Sequence, residues 1–210
     1  MKKTLFFTFL TLSLLLSCSS DSDSDNNNNN NNSGETPCTP IACLNGGVSR
    51  PDCGCDCPIG FTGPNCSTQI TPSKILITKI KVKNFPNKKP DGVTTWDDFL
   101  FTSFNSPDIF PFLTLGSTSL FQGDDIQDAI SYGNGTDNFT WTPSTPIEII
   151  SINSQYTLNL YDEDAGEPGY EFMGGFNFPL YNSTGGFPTT LNISNATSPY
   201  KFELTVSYVW

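Results

Sequence analysis

The stretch that decides the fold is KFELTVSYVW, residues 201–210, because its polarity alternates from one residue to the next. Apolar side chains occupy the even positions from Phe202 to Trp210, and mostly polar side chains fall between them. Successive side chains of a β-strand point to opposite faces, so this pattern predicts a strand with one buried face.

The same alternation recurs nearer the middle of the chain. Tyr156, Leu158 and Leu160 occupy alternate positions and predict a second half-buried strand. Between residues 74 and 85 the apolar positions change parity near Thr78, which predicts a β-bulge. Short apolar segments that predict further strands lie at residues 99–104, 109–115, 139–141, 147–150 and 175–179.

The intervening segments favour an antiparallel arrangement of these strands. They are rich in Gly, Pro, Asn and Asp, which are typical turn residues, and residues 73–210 contain no stretch of helical periodicity. We therefore expect residues 73–210 to fold as an all-β, antiparallel β-sandwich that is large enough to bury a core.

A dense cysteine cluster marks a second, smaller module. Six of the seven cysteines fall between residues 38 and 66, with the spacing C-x4-C-x9-C-x-C-x-C-x8-C. About thirty residues are too few to hold a hydrophobic core, so disulfide bonds are expected to replace it. An alternative interpretation is a zinc cluster at Cys53, Cys55 and Cys57, although zinc sites favour wider spacing.

Residues 43–47 (CLNGG) and 57–66 (CPIGFTGPNC) resemble an EGF-like domain, and the match covers residues 36–68. In this chain Ser49 stands where the family places its third cysteine, and a cysteine follows four residues later. The segment lacks the acidic consensus of the calcium-binding EGF-like domains. The resemblance therefore implies a module that acts as a spacer or as a contact surface. It also implies three disulfide bonds, which are Cys38–Cys53, Cys43–Cys55 and Cys57–Cys66.

The N-terminus carries an export signal. Lys2 and Lys3 precede an apolar run, residues 5–16, that is too short to span a bilayer. The run ends in LLSC, residues 15–18, which resembles the bacterial lipobox. The resemblance implies that residues 1–17 are removed as a signal peptide and that Cys18 receives a lipid anchor. The alternative is a generic signal peptide that contains a chance cysteine.

Residues 18–35 form a polar Ser/Asp/Asn linker that is predicted to be disordered, because it has no apolar side chains to bury. Its Ser/Asp run directly after Cys18 is similar to the surface-export signal of Bacteroidetes lipoproteins, so we expect a protein on the outer membrane that faces outward. Loss of residues 1–17 changes the formal net charge from −11 to −13. This acidity argues against a nucleic-acid partner.

Two acidic stretches stand out within the predicted sandwich. The first is TTWDD, residues 94–98, followed by SPDIF at 106–110. The second is LYDED, residues 160–164, followed by YEFMG at 170–174. Together they resemble the C2 family, a β-sandwich that binds calcium and phospholipid. The resemblance implies five metal ligands, which are Asp97, Asp108, Asp162, Asp164 and Glu171.

The chemistry of calcium fits this set of residues. Calcium takes six to eight oxygen ligands, mainly carboxylates and carbonyls. In an extended chain, residues two apart point the same way, so Asp162 and Asp164 are able to hold one ion. The alternative interpretation is that these residues are turn formers in solvated loops and bind no metal.

The composition disfavours catalysis. The chain contains no histidine, which excludes Ser-His-Asp triads and histidine-ligated zinc, and each mature cysteine already has an assignment. We expect a non-catalytic, calcium-dependent binding or adhesion module whose ligand is a surface protein, a glycan or a lipid. One alternative is a carbohydrate-binding module of a polysaccharide-utilising surface system, with Trp96 and Trp141 as exposed platforms. The other alternative is a carboxylate-based glycosidase.

Overall fold

A computed structural model describes residues 39–97, 106–164 and 169–210 of the chain. Every regular element in these ranges is a β-strand, and residues Cys38–Trp210 form one compact unit. None of the described residues belongs to a helix that is long and apolar enough to cross a membrane. The predicted strand at 99–104 and the predicted lipidation site Cys18 both lie wholly outside the described residues.

The described chain forms thirteen strands, of which the first four belong to the cysteine-rich module. In chain order they are β1 (Val48–Ser49), β2 (Cys55–Asp56), β3 (Phe61–Thr62), β4 (Thr68–Gln69), β5 (Lys74–Asn84), β6 (Ile109–Leu115), β7 (Thr118–Gln122), β8 (Phe139–Trp141), β9 (Ile147–Ile149), β10 (Gln155–Glu163), β11 (Tyr170–Pro179), β12 (Thr190–Ile193) and β13 (Lys201–Val209).

Two larger sheets make up the sandwich. One has the strand order β11-β10-β6-β7, and the other has the order β12-β13-β5-β8, with β9 also paired to β5. The module contributes two small ribbons, β1-β2 and β3-β4, and each pairing described here is antiparallel. The predicted all-β, antiparallel fold class is confirmed.

The core lies between the two sheets and follows the predicted alternation. Phe202, Leu204 and Val206 of β13 are buried from one side, and Leu158 and Leu160 of β10 are buried from the other. Burying an aliphatic or phenyl side chain of this size contributes roughly 1.5–3 kcal/mol, so the inward faces of these strands hold the sheets together.

The predicted bulge in β5 is confirmed. Thr205 of β13 pairs with Lys79, whereas the next residue, Val206, pairs with Ile77, so Thr78 is the extra residue. This insertion lets Ile77 and Ile80 both face the core, although they are three positions apart.

The cysteine-rich module is cross-linked as expected. The disulfides Cys43–Cys55 and Cys57–Cys66 are present, and Cys53 is disulfide-bonded as well. The zinc interpretation is therefore wrong, because the sulfur atoms it requires are engaged in covalent bonds. Cys38, the predicted partner of Cys53, lies outside the described residues, so that pairing stays a prediction.

The module packs directly on the sandwich. The Gln69 side-chain amide donates to the Tyr181 hydroxyl at 2.9 Å, and its carbonyl oxygen accepts from the Gly186 N–H at 2.8 Å. The Phe61 ring lies edge-on to the Phe187 ring, with 5.3 Å between the ring centroids. Gly60 has a φ of +92°, and a Cβ there would lie 2.4 Å from the Phe187 ring, so this approach requires glycine.

Candidate metal centre

The candidate centre is built around Asp162, near the end of β10. The alternation that turns Leu158 and Leu160 inward also turns Asp162 inward, and its side chain is fully buried. One carboxylate oxygen, Oδ1, accepts from the backbone N–H of Asp108 at 2.7 Å. The other, Oδ2, is buried and has no hydrogen-bond partner among the described residues.

Two further carboxylates converge on Asp162 from different segments. Asp164 follows it by two residues, and its backbone N–H donates to the carbonyl of Gly169 at 3.3 Å. Asp97 comes from the segment after β5, where a β-bridge between Lys88 and Thr95 closes a turn. One carboxylate oxygen each from Asp97, Asp162 and Asp164 lie within 4.8 Å of one another.

The electrostatics show that this group of carboxylates is short of positive charge. Burial raises the pKa of Asp162 to about 7, against a smaller opposing effect from the Asp108 N–H, and the nearby carboxylates raise it further. Burial and the charges of Asp108, Asp164 and Asp128 raise the pKa of Asp97 to about 6. The neighbouring carboxylates therefore make it harder for Asp97 and Asp162 to ionise unless a cation joins them.

Asp108, a predicted ligand, lies outside this trio of carboxylates. Its Oδ1 accepts from the backbone N–H of Asp128 at 2.7 Å, and its own N–H holds Asp162. The backbone carbonyl of Asp108 accepts from the N–H of Glu163 at 2.8 Å. Asp108 thus fixes the position of the Asp162 carboxylate, and its charge raises the pKa values of Asp97 and Asp162.

Glu171, the fifth predicted ligand, is engaged with a lysine. Its Oε2 lies 2.6 Å from Lys89 Nζ, and this hydrogen bond is the main cause of the raised pKa of Lys89. The ammonium also lies 5.9 Å from the centroid of the Trp96 ring, and the negative charges of Asp164 and Asp162 act on it. Sequence reasoning did not assign Lys89, although its position eight residues before Asp97 in the most basic stretch of the chain was visible.

The two tryptophans expected as exposed platforms are buried. Trp96 is 2% exposed, and its Nε1–H donates to the carbonyl of Pro86 at 2.8 Å. Trp141 is 6% exposed, and its Nε1–H donates to the carbonyl of Asp124 at 2.6 Å. Both indoles find apolar cover and a backbone acceptor inside the fold, so neither is able to serve as a surface platform.

The geometry suits a hard divalent cation. Two oxygens that each lie about 2.3–2.6 Å from one ion are at most about 5.2 Å apart, so the 4.8 Å spread satisfies this limit. The donors are carboxylate oxygens, and the trio contains no nitrogen or sulfur ligand. An all-oxygen donor set is typical of calcium or magnesium rather than zinc or copper.

Comparisons with known proteins give similarity in fold alone. No family model and no curated protein matches the chain. Human GIVD cytosolic phospholipase A2 aligns with 67% of this chain and 17% of its own, at 16% identity and a TM-score of 0.41. Its complex with methyl gamma-linolenyl fluorophosphonate and terbium chloride aligns with 66% of this chain and 18% of its own, at 13% identity and a TM-score of 0.39.

A structure of the two C2 domains of extended synaptotagmin 2 gives a similar result. It aligns with 67% of this chain and 42% of its own, at 16% identity and a TM-score of 0.39. The matched region thus spans less than half of each of these proteins. Their TM-scores lie below 0.5.

Proposed function

We propose that this protein is a calcium-binding β-sandwich module that works by non-catalytic binding at a cell surface. The observation that carries the proposal is the buried Asp162 carboxylate, which lies beside those of Asp97 and Asp164 and whose Oδ2 has no hydrogen-bond partner among the described residues. A buried charge without a partner costs several kcal/mol, and a cation shared by three carboxylates removes that cost.

Calcium is favoured over magnesium by the way the ligands are supplied. Magnesium requires a near-ideal octahedron with distances of about 2.0–2.1 Å and keeps several of its waters, whereas calcium tolerates irregular carboxylate sites. Here the ligands come from two separate segments, and one of them is held by a backbone N–H. Extracellular calcium sites work at about 10⁻⁴–10⁻³ M, which a surface protein meets routinely.

The expected stoichiometry is one ion per chain. Lys89 pairs with Glu171, so the carboxylate that a second ion would need is already bound to an ammonium group. The positive charge neutralises Glu171 and repels a further divalent ion. The ligand set is therefore Asp97, Asp162 and Asp164, completed by backbone carbonyls or water.

The cellular setting of the proposal comes from the N-terminal sequence. A lipid on Cys18 would anchor the protein in the outer membrane, and residues 18–35 would hold an EGF-like module and the sandwich away from it. Substitution of Cys18 by serine is expected to release the protein into the soluble fraction. Continued membrane association of that variant would contradict the anchor but not the calcium site.

The calcium proposal is tested by calorimetric titration and thermal unfolding of the soluble region after Cys18. With a Kd of about 10⁻⁴–10⁻³ M, about 10 mM calcium adds roughly 1.4–2.7 kcal/mol of stability. This corresponds to a rise in Tm of about 4–10 °C for a domain of this size. Magnesium at the same concentration is expected to give a smaller rise.

Matched variants separate the site from general charge effects. Asp162→Asn should abolish the calcium response, whereas Asp125→Asn, which changes an exposed aspartate outside the trio, should retain it. A titration without heat and a Tm that ignores calcium would overturn the proposal. A stoichiometry of two ions would retain the site but refute the role given to Lys89.

A further inference from the structure

A cluster of aromatic side chains covers the outward face of one sheet. Tyr161 of β10 faces away from the core, because it lies between the inward residues Leu160 and Asp162. Its ring lies within 5.4–6.1 Å, centroid to centroid, of four other rings from β6 and β11. These four rings belong to Phe110, Phe112, Tyr170 and Phe172, and with Tyr161 they form the aromatic platform.

Part of the aromatic platform is exposed to solvent, which is unusual for a cluster of aromatic side chains. Tyr170 and Phe172 remain 56% and 55% exposed, while Phe110 is only 6% exposed beneath its neighbours. Farther along the same face of β10, the outward residues Thr157 and Asn159 are polar. A contiguous exposed apolar patch is typical of an interaction site.

A cavity with a polar rim opens beside the platform. It has a volume of about 210 Å³ and is lined by Phe110, Tyr170, Gln122, Asp124, Asp125 and Glu163. A second cavity of about 70 Å³ adjoins it and shares Phe110, Gln122 and Tyr170. The aromatic platform therefore continues into a polar recess that offers three carboxylates and one amide, and none of the described residues that line it is basic.

We propose that the platform and this recess bind a neutral sugar unit of a polysaccharide. The C–H face of a sugar ring packs on an exposed aromatic ring such as Tyr170, while carboxylates accept hydrogen bonds from its hydroxyl groups. The Gln122 amide both donates and accepts, which suits a hydroxyl group that does the same. The recess, of about 210 Å³, is smaller than the usual ligand pocket of about 300–1,000 Å³, which suits a single small unit of a longer ligand.

The negative charge of the recess disfavours the binding of acidic sugars and anionic lipid head groups. The three carboxylates at the rim repel a uronate, a sulfate or a phosphate group. An alkylammonium ion is the other ligand that aromatic rings and carboxylates would favour. The rings here, however, pack edge to face or stacked on one another, so they form a platform rather than an open cage around a cation.

The sugar site is separate from the metal centre. Along β10, Tyr161 and Glu163 point outward, whereas Asp162, between them, points inward. Sugar binding is therefore expected to persist in chelator and in the Asp162→Asn variant. This independence makes a failure of the sugar site distinguishable from a failure of the calcium site.

The test is affinity electrophoresis and calorimetry of the soluble chain with neutral oligosaccharides: cello-, laminari-, manno- and xylohexaose. Oligogalacturonate and choline are the acidic and cationic comparisons. Binding of at least one neutral hexaose is expected, and Tyr170→Ala should weaken it about tenfold or more. Tyr132→Ala is the matched control, because Tyr132 is 82% exposed and lies outside the platform.

Gln122→Ala provides a second variant if Tyr170→Ala proves poorly folded, as judged by its thermal unfolding. It removes the amide and leaves the platform in place, so it should also weaken binding of the hexaose. Failure to bind any of the four neutral hexaoses overturns the proposal. So does stronger binding of choline or oligogalacturonate, or an equal loss of affinity in Tyr132→Ala.

Discussion

The alternation of side chains along β10 predicts an apolar residue at the position of Asp162. It continues the inward series of Tyr156, Leu158 and Leu160, and it is as fully buried as the leucines. A leucine there would stabilise the core, so an aspartate costs stability unless something binds it. Among the described residues, the N–H of Asp108 is the one hydrogen-bond donor to this carboxylate, and it satisfies one of the two oxygens.

The raised pKa of Asp162 predicts a pH dependence of stability when calcium is absent. Its folded pKa, about 7, and that of Asp97, about 6, both exceed the ordinary value of 3.8. Folding therefore favours the protonated forms, and this contribution is complete below about pH 4 and lost as the pH rises through 6–7. In chelator, we expect Tm to fall between about pH 5 and pH 8.

Calcium and the Asp162→Asn substitution should each reduce the loss of stability that the ionised Asp162 causes at high pH. Because calcium binds the ionised carboxylates, its stabilisation should be larger at about pH 8 than at about pH 5. Asp162→Asn keeps an oxygen for the Asp108 N–H, so in chelator it should be more stable than the natural chain at pH 8. Parallel pH profiles of Tm for the two proteins would contradict this assignment of the buried charge.

At the scale of strands, sequence pattern predicted strongly apolar strands better than weakly patterned edge strands. β6 and β8 were predicted with the bounds observed, because each is a short, strongly apolar run. β7 and β12 were missed, and each lies at the end of its sheet order with most of its residues exposed or half-buried. An edge strand takes much of its order from its neighbour, so its own sequence carries a weak pattern.

In the candidate site, too, features set by the local sequence were predicted better than those set by contacts between distant segments. The shared orientation of Asp162 and Asp164 follows from their local spacing, and it was predicted. The position of Asp97 depends on the turn closed by Lys88 and Thr95, so local pattern did not indicate it, and it was predicted only through the resemblance to the C2 family. The pairing of Glu171 with Lys89 joins two segments far apart in sequence, and nothing local to either residue signals it.

Gly175 in β11 provides a test of the close pairing between β10 and β11. A Cβ at this position would lie 2.4 Å from the backbone carbonyl oxygen of Leu158, which is fixed in the strand. Gly175→Ala is therefore expected to lower the free energy of unfolding by about 1–3 kcal/mol, measured by urea denaturation. Gly185→Ala is the control, since its nearest neighbours lie at 3.3 Å or more in an exposed turn, and it should change stability by less than about 0.5 kcal/mol. Equal effects of the two substitutions would refute the steric argument.

For the molecule as a whole, β10 separates two chemistries by the simple alternation of its side chains. Its inward face ends in the metal centre, and its outward face carries the centre of the aromatic platform. The acidic net charge of the chain suits both proposals, since it attracts a divalent cation and repels acidic polymers. β10 lies within its sheet, where β6 and β11 pair with it on both sides.

The packing of the cysteine-rich module on the sandwich predicts that the two regions move as one. Phe187 is the shared contact, because its ring lies 5.3 Å from Phe61 of the module and 5.2 and 5.1 Å from Tyr208 and Trp210 of the sandwich. Phe187→Ala leaves a gap at this junction and should cost about 2 kcal/mol locally. Amide hydrogen exchange of residues 60–70 is then expected to accelerate, while β5 and β13 keep their protection.

Phe172→Ala is the matched control for this experiment, because it removes a half-exposed ring that belongs to the aromatic platform instead. It should leave exchange at residues 60–70 unchanged, and the Gln69 hydrogen bonds to Tyr181 and Gly186 should persist in it. If Phe187→Ala also leaves that exchange unchanged, the ring contact does not hold the module. The hydrogen bonds of Gln69 would then be sufficient to hold the module on the sandwich. Gln69→Ala would be the variant that frees the module.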